Sequence, residues 1–290
     1  MIKLTVLNFI EISNFFLNSN VIPERFKTIF MKLRILQIDA FAEKVFQGNP
    51  AAVCPLEEWI PDELMQKIAL ENNLSETAFF VLEGESYRIR WFTPLSEVDL
   101  CGHATLAAAY HLFREGEVVG DKLSFQSLSG ELNVFKKENI LYLDFPSRKL
   151  EKVEIPKEIL NSFSIPPKEV FKSRDYMLLY ENENQLKKLK YSVERVKELN
   201  TLGIIATCVG NGSYDFLSRF FAPSVGLYED PVTGSAHCTL IPFWSERLGK
   251  KVMKAYQTSV RGGKLFCEDL GERVRIGGTC ISYLDGWIEI

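Results

Sequence analysis

Alternating apolar and polar positions predict β-strands over much of the chain from residue 33 onward. LRILQIDAF predicts the first strand. TAFFVLE and YRIRWFTP predict a hairpin that turns at Gly84-Glu85-Ser86. The segment LSFQSLSGELNVFKKENILYLDFP predicts a meander of three strands. In the second half the predicted strands are GIIATCVG, YDFLSRFFAP and the glycine-punctuated segment from Val252 to the C-terminus.

Helical spacing of apolar residues marks four segments between these strands. DELMQKIALENN predicts a helix with Asp62 placed to cap its start. An Ala- and Leu-rich helix is predicted from Ala104 to Arg114, closed by Gly116. SVERVKELNT predicts a further capped helix that begins after Ser192.

The last predicted helix runs from about Ser235 to Arg247 and closes at Gly249. Pro242 lies inside this segment. Because proline has no backbone N–H, we expect it to bend the helix or to shift its start.

The two halves of the chain share one order of features. Phe92-Thr93-Pro94 precedes Cys101-Gly102-His103-Ala104 and a helix, and Phe221-Ala222-Pro223 precedes Thr233-Gly234-Ser235-Ala236 and a helix. Two copies favour a duplicated domain with a cleft between the halves. Chance similarity of two strand–loop–helix units is the alternative.

The first thirty residues differ from the rest. Their apolar run is broken by Asn8 and Glu11, and no small-residue cleavage site follows. We interpret them as an extension upstream of a natural start at Met31, with a loose amphipathic tail as the alternative. The predicted domains are an extension at 1–30, an N-terminal half at 31–145 and a C-terminal half at 146–290.

Composition narrows the classes of function. The chain has 290 residues, 46% of them hydrophobic, which is enough for a large core, and its net charge of −4 gives no field to attract nucleic acid or an anionic membrane. No apolar stretch reaches the roughly 20 residues of a membrane-spanning helix. The six cysteines form no C-x-x-C pair, which is typical of reduced thiols in a cytoplasmic protein. The three histidines lack metal-ligand spacing, so we expect no metal site.

The two small-residue turns, Cys101–Ala104 and Thr233–Ala236, lie where a helix is predicted to begin. Backbone N–H groups lack partners there, and the helix dipole is positive. Small residues would let an anion approach, so the two turns are candidates for binding one carboxylate-bearing substrate. Tight packing of helix against strand explains the same residues equally well. The titratable residues nearby are Asp99, Cys101, His103, Glu229, Asp230 and His237.

Asp230 and His103 are the candidates for proton transfer among these residues, since a base in a dry cleft can be tuned toward the reaction. An aspartate before proline is also typical of a turn, and His103 could be an ordinary capping residue. Glu76, in NNLSETAFF, lies between a helix and a strand, where a glutamate is usually solvated.

Several stretches together resemble the phenazine-biosynthesis PhzF-like isomerase family. They are IDAFAEKVFQGNPAAV, NNLSETAFF, RWFTPLSEVDLCGHATLAAAY, EDPVTGSAHCTL and the Gly-rich SVRGGKLFCEDLGERVRIGG. The resemblance covers residues 32–290. It implies a mixed α/β, diaminopimelate epimerase-like fold: two similar halves, each a curled, mostly antiparallel sheet around a central helix, with the active site between them. It also implies an isomerase or epimerase of a small carboxylic acid that uses no cofactor and forms a homodimer.

The resemblance assigns roles to single residues. The glutamate of the family's N-L-S-E-T motif falls on Glu76, the expected acid/base. His103 and Asp230 match its G-H and D-P-x-T-G-S motifs and would share protons and orient the substrate. The residues expected to bind substrate are Gly48, Asn49, Gly102, Gly234 and Ser235.

One departure separates the chain from diaminopimelate-type epimerases, which use a cysteine in each half. Cys101 occupies the first position, but Thr233 occupies the second. Because threonine cannot act as a thiolate-like base, racemisation by two cysteines is disfavoured. An epimerase working through Cys101 alone and a non-catalytic protein that binds small acids are the alternatives. A nucleotide enzyme has little support, since Gly210-Asn211-Gly212 lacks the third glycine and the helix of a dinucleotide fingerprint.

Overall fold

The computed structural model describes residues 31–199 and 201–290. The predicted extension at 1–30 lies outside the described residues. The strands are β1 (Lys32–Ala40), β2 (Asn49–Leu56), β3 (Glu76–Glu83), β4 (Ser86–Phe92), β5 (Glu97–Val98), β6 (Lys122–Ser127), β7 (Gly130–Lys137), β8 (Ile140–Pro146), β9 (Glu151–Val153), β10 (Glu169–Lys172), β11 (Tyr176–Leu179), β12 (Ile204–Val209), β13 (Phe216–Ala222), β14 (Leu227–Asp230), β15 (Val252–Gln257), β16 (Gly263–Asp269), β17 (Arg273–Gly278) and β18 (Cys280–Glu289). The helices are α1 (Asp62–Asn72), α2 (Gly102–Glu115), α3 (Lys157–Ser162), α4 (Glu183–Lys188), α5 (Val193–Lys197) and α6 (Gly234–Leu248), with a short 3-10 helix at Pro223–Val225.

The two halves repeat one order of strand pairing. In the first half, β1, β2, β3, β4, β6, β7 and β8 pair in that order, and the pairs are antiparallel, parallel, antiparallel, parallel, antiparallel and antiparallel. In the second half, β10, β11, β12, β13, β15, β16 and β17 give the same series. The short strands β5 and β14 pair with β4 and β13, again in matching places. The two similar halves predicted from the sequence are therefore present in the fold.

The halves are joined through their sheets. β8 pairs with β17 along six residues, and the last strand, β18, returns to pair with β1. In the second half, β9 takes the place on β10 that β18 takes on β1. Residues 280–289 thus lie in the sheet of the first half, although the predicted boundary at 145/146 counts them with the second; that boundary stays a prediction.

Each sheet curls around one central helix. In α2 the small residues Ala104, Ala107 and Ala108 are fully buried, which lets the helix approach the strands closely. In α6, Leu240 and Ile241 are fully buried, and each contributes roughly 1.5–3 kcal/mol to folding. Both helices contribute to one continuous core. In the described part of the chain no helix has the length and apolar character needed to cross a membrane.

The predicted ends of these two central helices are confirmed. Gly116 and Gly249 follow α2 and α6 in the left-handed conformation, with φ of 79° and 61°. Both backbone N–H groups are bonded to a carbonyl of the last turn, at Leu112 and Ser245. These caps satisfy carbonyl groups that would otherwise be left open.

Two predicted helix caps are wrong in detail. The N-cap of α1 is Pro61, and Asp62 is the first helical residue, whose carboxylate accepts a hydrogen bond of 2.8 Å from Arg90 Nη1. Ser192 does hold the N-cap position of α5, but its side chain caps no backbone N–H. The Asp62 carboxylate therefore pairs with Arg90 of β4 and caps no backbone N–H of the helix.

α6 starts at Gly234 and continues through Pro242, so the proline has not shifted its start, and the predicted bend stays a prediction. The proline cannot donate to the carbonyl of Cys238 four residues earlier. That carbonyl instead accepts a hydrogen bond of 2.9 Å from the backbone N–H of Arg148. The missing helix bond is thereby replaced by a bond to the segment that follows β8.

Candidate active site

A cleft of about 460 Å³ lies between the halves, where α2 and α6 begin. Its walls include the apolar side chains of Leu100, Phe145, Leu202 and Val232, which keep water from part of the space. Six of the eight residues predicted for the site line it: Glu76, Gly102, His103, Asp230, Gly234 and Ser235.

Glu76 is placed by the end of α1 and the start of β3. Asn73 ends the helix in the left-handed conformation, with φ of 49°, which turns the chain back toward the sheet. Asn72 Nδ2 donates to Thr77 Oγ1 at 3.0 Å and ties the helix end to the new strand. β3 begins at Glu76 itself, paired with Ala51 of β2. The N-L-S-E-T motif thus sets the glutamate at a strand end that faces the cleft.

The Glu76 carboxyl is held in its protonated form. Its side chain is only 17% exposed, unlike the solvated glutamate that its sequence position suggests. Burial, and then the negative charge of Asp230, raise the pKa of Glu76 from 4.5 to about 8, against the effect of a hydrogen bond with Cys101. A group with this pKa is mostly neutral at pH 7 and ionises near working pH.

His103 faces the same carboxyl. Its Nε2 lies 3.3 Å from Glu76 Oε2, and its Nδ1 lies 3.5 Å from Cys101 Sγ. Burial lowers the pKa of His103 to about 4, so the imidazole is neutral and the contact with Glu76 is no ion pair. Within the described chain neither Glu76 Oε2 nor His103 Nε2 has a hydrogen-bond partner, because their mutual orientation does not meet hydrogen-bond geometry. Both atoms are buried, so two polar groups beside the cleft are left unsatisfied in the described protein.

Asp230 supplies the second carboxyl. Its Oδ1 accepts from Asn49 Nδ2 at 2.8 Å, and its Oδ2 accepts from Thr233 Oγ1. Burial raises the pKa of Asp230 to about 6, and the hydrogen bonds from Thr233 and Asn49 oppose that rise. At neutral pH Asp230 is mostly ionised, and its charge helps to keep the proton on Glu76.

Gln257 fixes the turn that carries Asp230. It is fully buried; its Nε2 donates to the Asp230 carbonyl at 2.7 Å, and its Oε1 accepts from the Thr233 N–H at 3.0 Å. Gln257 Nε2 also donates to Thr233 Oγ1 at 3.1 Å, so the Thr233 hydroxyl directs its own proton to Asp230. Thr233 thus cannot supply the second base of a two-cysteine epimerase.

Cys101 is the N-cap of α2 and is buried beside Glu76. Burial and the charge of Glu76 raise the pKa of its thiol well above the ordinary value, so the thiolate is disfavoured. Glu76, Cys101 and His103 present donor atoms within 4.8 Å of one another, a spacing that would suit a metal ion. The spacing of the histidines along the sequence did not predict this set, and the expectation of no metal site stays a prediction.

The space around the glycines at the two helix starts bears on the two explanations left open by the sequence. A Cβ added at Gly234 would meet nothing within 4 Å, and one added at Gly102 would make only ordinary contacts, the nearest 3.6 Å from Leu143. Packing therefore requires glycine at neither position. The open space in front of Gly234 belongs to the cleft, which favours the approach of a ligand to the backbone.

Gly48 and Asn49, predicted to bind substrate, lie behind the cleft and do not line it. Asn49 is fully buried and donates to both Asp230 and the Val232 carbonyl. Gly48 has φ of 67°, and a Cβ there would lie 2.0 Å from the Ala40 carbonyl oxygen, so only glycine fits. This loop positions Asp230 from the other half of the molecule.

The remaining titratable candidates divide between cleft and surroundings. Asp99 lines the cleft, whereas Glu229 is paired with Arg219 at 2.7 Å and His237 Nδ1 donates to the Thr233 carbonyl at 2.8 Å. Two positively charged lining residues, Arg148 and Arg174, were not predicted. Neither lies in a sequence motif, and only the folded chain brings them to the start of α6.

The chain has the diaminopimelate epimerase-like fold: two facing halves, each with a helix start open to one cleft, and two buried carboxyls in that cleft. A hydroxyproline epimerase from Agrobacterium vitis shares this fold: at 9% identity it has a TM-score of 0.60, covering 89% of this chain and 93% of that one. The family match is more specific than this shared fold. The chain belongs to the phenazine biosynthesis-like PhzC-PhzF family, whose model matches residues 38–286.

Similar proteins support the enzyme class. Two uncharacterised isomerases of Pseudomonas aeruginosa are 48% and 46% identical to this chain, each covering 90% of it and 100% of its own length. The crystal structure of a PhzF-family protein from Enterococcus faecalis is 47% identical, with a TM-score of 0.87, covering 90% of this chain and 100% of that one. The chain is an isomerase of this family.

Proposed function

We propose that this isomerase moves a proton between carbons of a small carboxylic acid, with Glu76 as the acid/base. The observation that carries the proposal is the Glu76 carboxyl itself, buried at the cleft with a pKa raised to about 8. An acid/base acts best when its pKa lies near the working pH, because both of its forms are then accessible. An ordinary surface glutamate would be fully ionised and a weak base.

The substrate carboxylate would bind at the open helix starts near Gly102 and Gly234, where backbone N–H groups and both helix dipoles favour an anion. With its carboxylate bound there, the substrate would have its neighbouring carbon beside the Glu76 carboxyl. The ionised Glu76, about a tenth of the molecules at pH 7 for a pKa near 8, accepts the proton. The protonated Glu76, whose carboxyl proton exchanges with solvent between the two steps, then donates a proton to another carbon of the same skeleton.

His103 and Asp230 support this transfer. The neutral imidazole of His103 lies against Glu76, with Nε2 3.3 Å from Glu76 Oε2, and would orient this carboxyl during the transfer. Asp230 raises the proton affinity of Glu76 by its charge. Since one carbon loses a proton and another carbon gains one, no electrons are gained or lost and the reaction as written needs no cofactor.

The test is activity on a panel of small hydroxy, unsaturated and aromatic carboxylic acids, followed by NMR. We expect wild type to isomerise at least one acid, Glu76→Gln to lose that activity by at least about 1,000-fold, and Cys101→Ala to keep most of it. Glu71→Gln, an exposed residue of α1, is the matched control. Loss of activity on replacing Cys101, with Glu76→Gln still active, would instead favour a cysteine-dependent epimerase.

We also propose that the protein is a homodimer, as the family resemblance implies. Support comes from β18, whose exposed side chains include the large apolar Tyr283, Leu284 and Trp287. Such a strand at a sheet edge can pack against a second copy. Light scattering of the purified protein should give twice the mass of the chain; a monomer at micromolar concentration would contradict this.

A further inference from the structure

Two arginines stand on the α6 side of the cleft. Arg148 Nη1 donates to the Ser235 carbonyl at 3.3 Å, and Arg174 Nη2 donates to Ser235 Oγ at 3.2 Å. Arg174 is paired with the carboxylate of Asp175 at 2.8 Å. Across residues 31–199 and 201–290, Arg148 takes part in no salt bridge. An uncompensated guanidinium in a partly apolar cleft is a strong site for an anion.

The backbone fixes where this guanidinium lies. Pro242 leaves the Cys238 carbonyl free, and the Arg148 N–H binds it at 2.9 Å. The residue is thus attached to α6 at its backbone and reaches α6 again with its side chain, at Ser235. A cation held in this way loses less conformational entropy when it binds a ligand than a free surface arginine does.

The arginine site differs from the helix start. In an α-helix the N–H groups point toward the N-terminus and the C=O groups toward the C-terminus. Because Arg148 donates to a carbonyl of α6, its guanidinium lies beside the first turn and not in front of the free N–H groups at Gly234. The cleft thus offers two separate positions for negative charge on its α6 side.

The acidic side chains of the cleft lie on other elements. Glu76 begins β3, Asp99 precedes α2 and Asp230 ends β14. A bound molecule therefore meets carboxyl groups and cationic groups in the same cleft.

We propose that Arg148, assisted by Arg174, binds a second anionic group of the substrate, so that the substrate is a small dicarboxylate. The inference rests on the proposed function, which places the first carboxylate at the helix starts. Arg148 contributes more than Arg174, because Asp175 already neutralises part of the Arg174 charge. The Arg148 side chain acts in binding and touches no reacting carbon.

The test measures dissociation constants of carbon-matched acids at fixed ionic strength by NMR titration. The probes are malonate, succinate, glutarate and adipate against propionate, butyrate, valerate and hexanoate. For at least one chain length we expect the dicarboxylate to bind wild type at least about 10-fold tighter than its monocarboxylate partner. Arg148→Gln should remove that advantage and change the affinity for the monocarboxylate less than about 2-fold, as expected for a lost contact that only the second carboxylate makes.

Three further variants sharpen the result. Arg148→Lys should keep part of the advantage, Arg174→Gln should reduce it less than Arg148→Gln, and Arg88→Gln, an exposed arginine of β4 outside the cleft, should leave it unchanged. No advantage for any dicarboxylate, or equal weakening of both acids by Arg148→Gln, would overturn the proposal. The titration measures binding alone, so it can succeed or fail independently of proton transfer by Glu76.

Discussion

Replacing Glu76 by glutamine should stabilise the protein at alkaline pH. The pKa of Glu76 is raised from 4.5 to about 8 in the folded state, so between these values the folded protein holds more protons than the unfolded chain. The free energy of unfolding therefore falls as pH rises through this window. At about 1.36 kcal/mol per pKa unit, the loss between pH 5.5 and 8.5 is about 3 kcal/mol. Glutamine has the same shape and no charge to bury, so the variant escapes this loss.

Urea unfolding of wild type and Glu76→Gln at pH 5.5 and 8.5 measures the effect. We expect the stability of the variant relative to wild type to increase by about 3 kcal/mol over this interval. Glu71→Gln, which removes an exposed carboxyl of α1, should show no such increase. If the difference between wild type and Glu76→Gln is the same at both pH values, Glu76 titrates as a solvated carboxyl and the argument fails.

Three further predictions test the surroundings of Glu76. Asp230→Asn removes a negative charge that helps to raise the pKa of Glu76. The pH at which the residual kcat/KM rises should therefore move down. A pH profile identical to that of wild type would refute the coupling between the two carboxyls. Gly234→Ala places a methyl group in open space, so Tm should be kept while KM rises at least about 10-fold, and an unchanged KM would show that no ligand approaches there. Cys101→Ala should retain more than about a tenth of kcat, since a buried thiol with a raised pKa is no base, and complete loss in a folded variant would assign it chemistry.

Much of the fold could be predicted because its signals are local. α2 and α6 have apolar faces and end at Gly116 and Gly249, where a left-handed cap needs no more than the adjacent turn. The likeness of the two halves was visible at Phe-x-Pro and the small-residue turns, and the pairing of their strands agrees with it. The predicted Asp62 cap was wrong by one position, since Pro61 holds the N-cap, and the Asp62 carboxylate instead binds Arg90 of β4.

The site was less predictable because it depends on contacts between halves. Glu76 has no local sign of burial, and only the motif resemblance singled it out. Asn49 was predicted to bind substrate, yet it holds Asp230 from 181 positions away along the chain. Arg148 gave no signal at all, since its place follows from a carbonyl that Pro242 frees in α6.

The most direct test of the central claim follows the proton itself. A substrate found in the acid panel is incubated in D2O with wild type and with folded Glu76→Gln, and deuterium at each carbon is read by NMR and mass spectrometry. The account predicts that wild type exchanges solvent deuterium into the carbon skeleton and that Glu76→Gln does not. Exchange at the wild-type rate in Glu76→Gln would show that another group moves the proton.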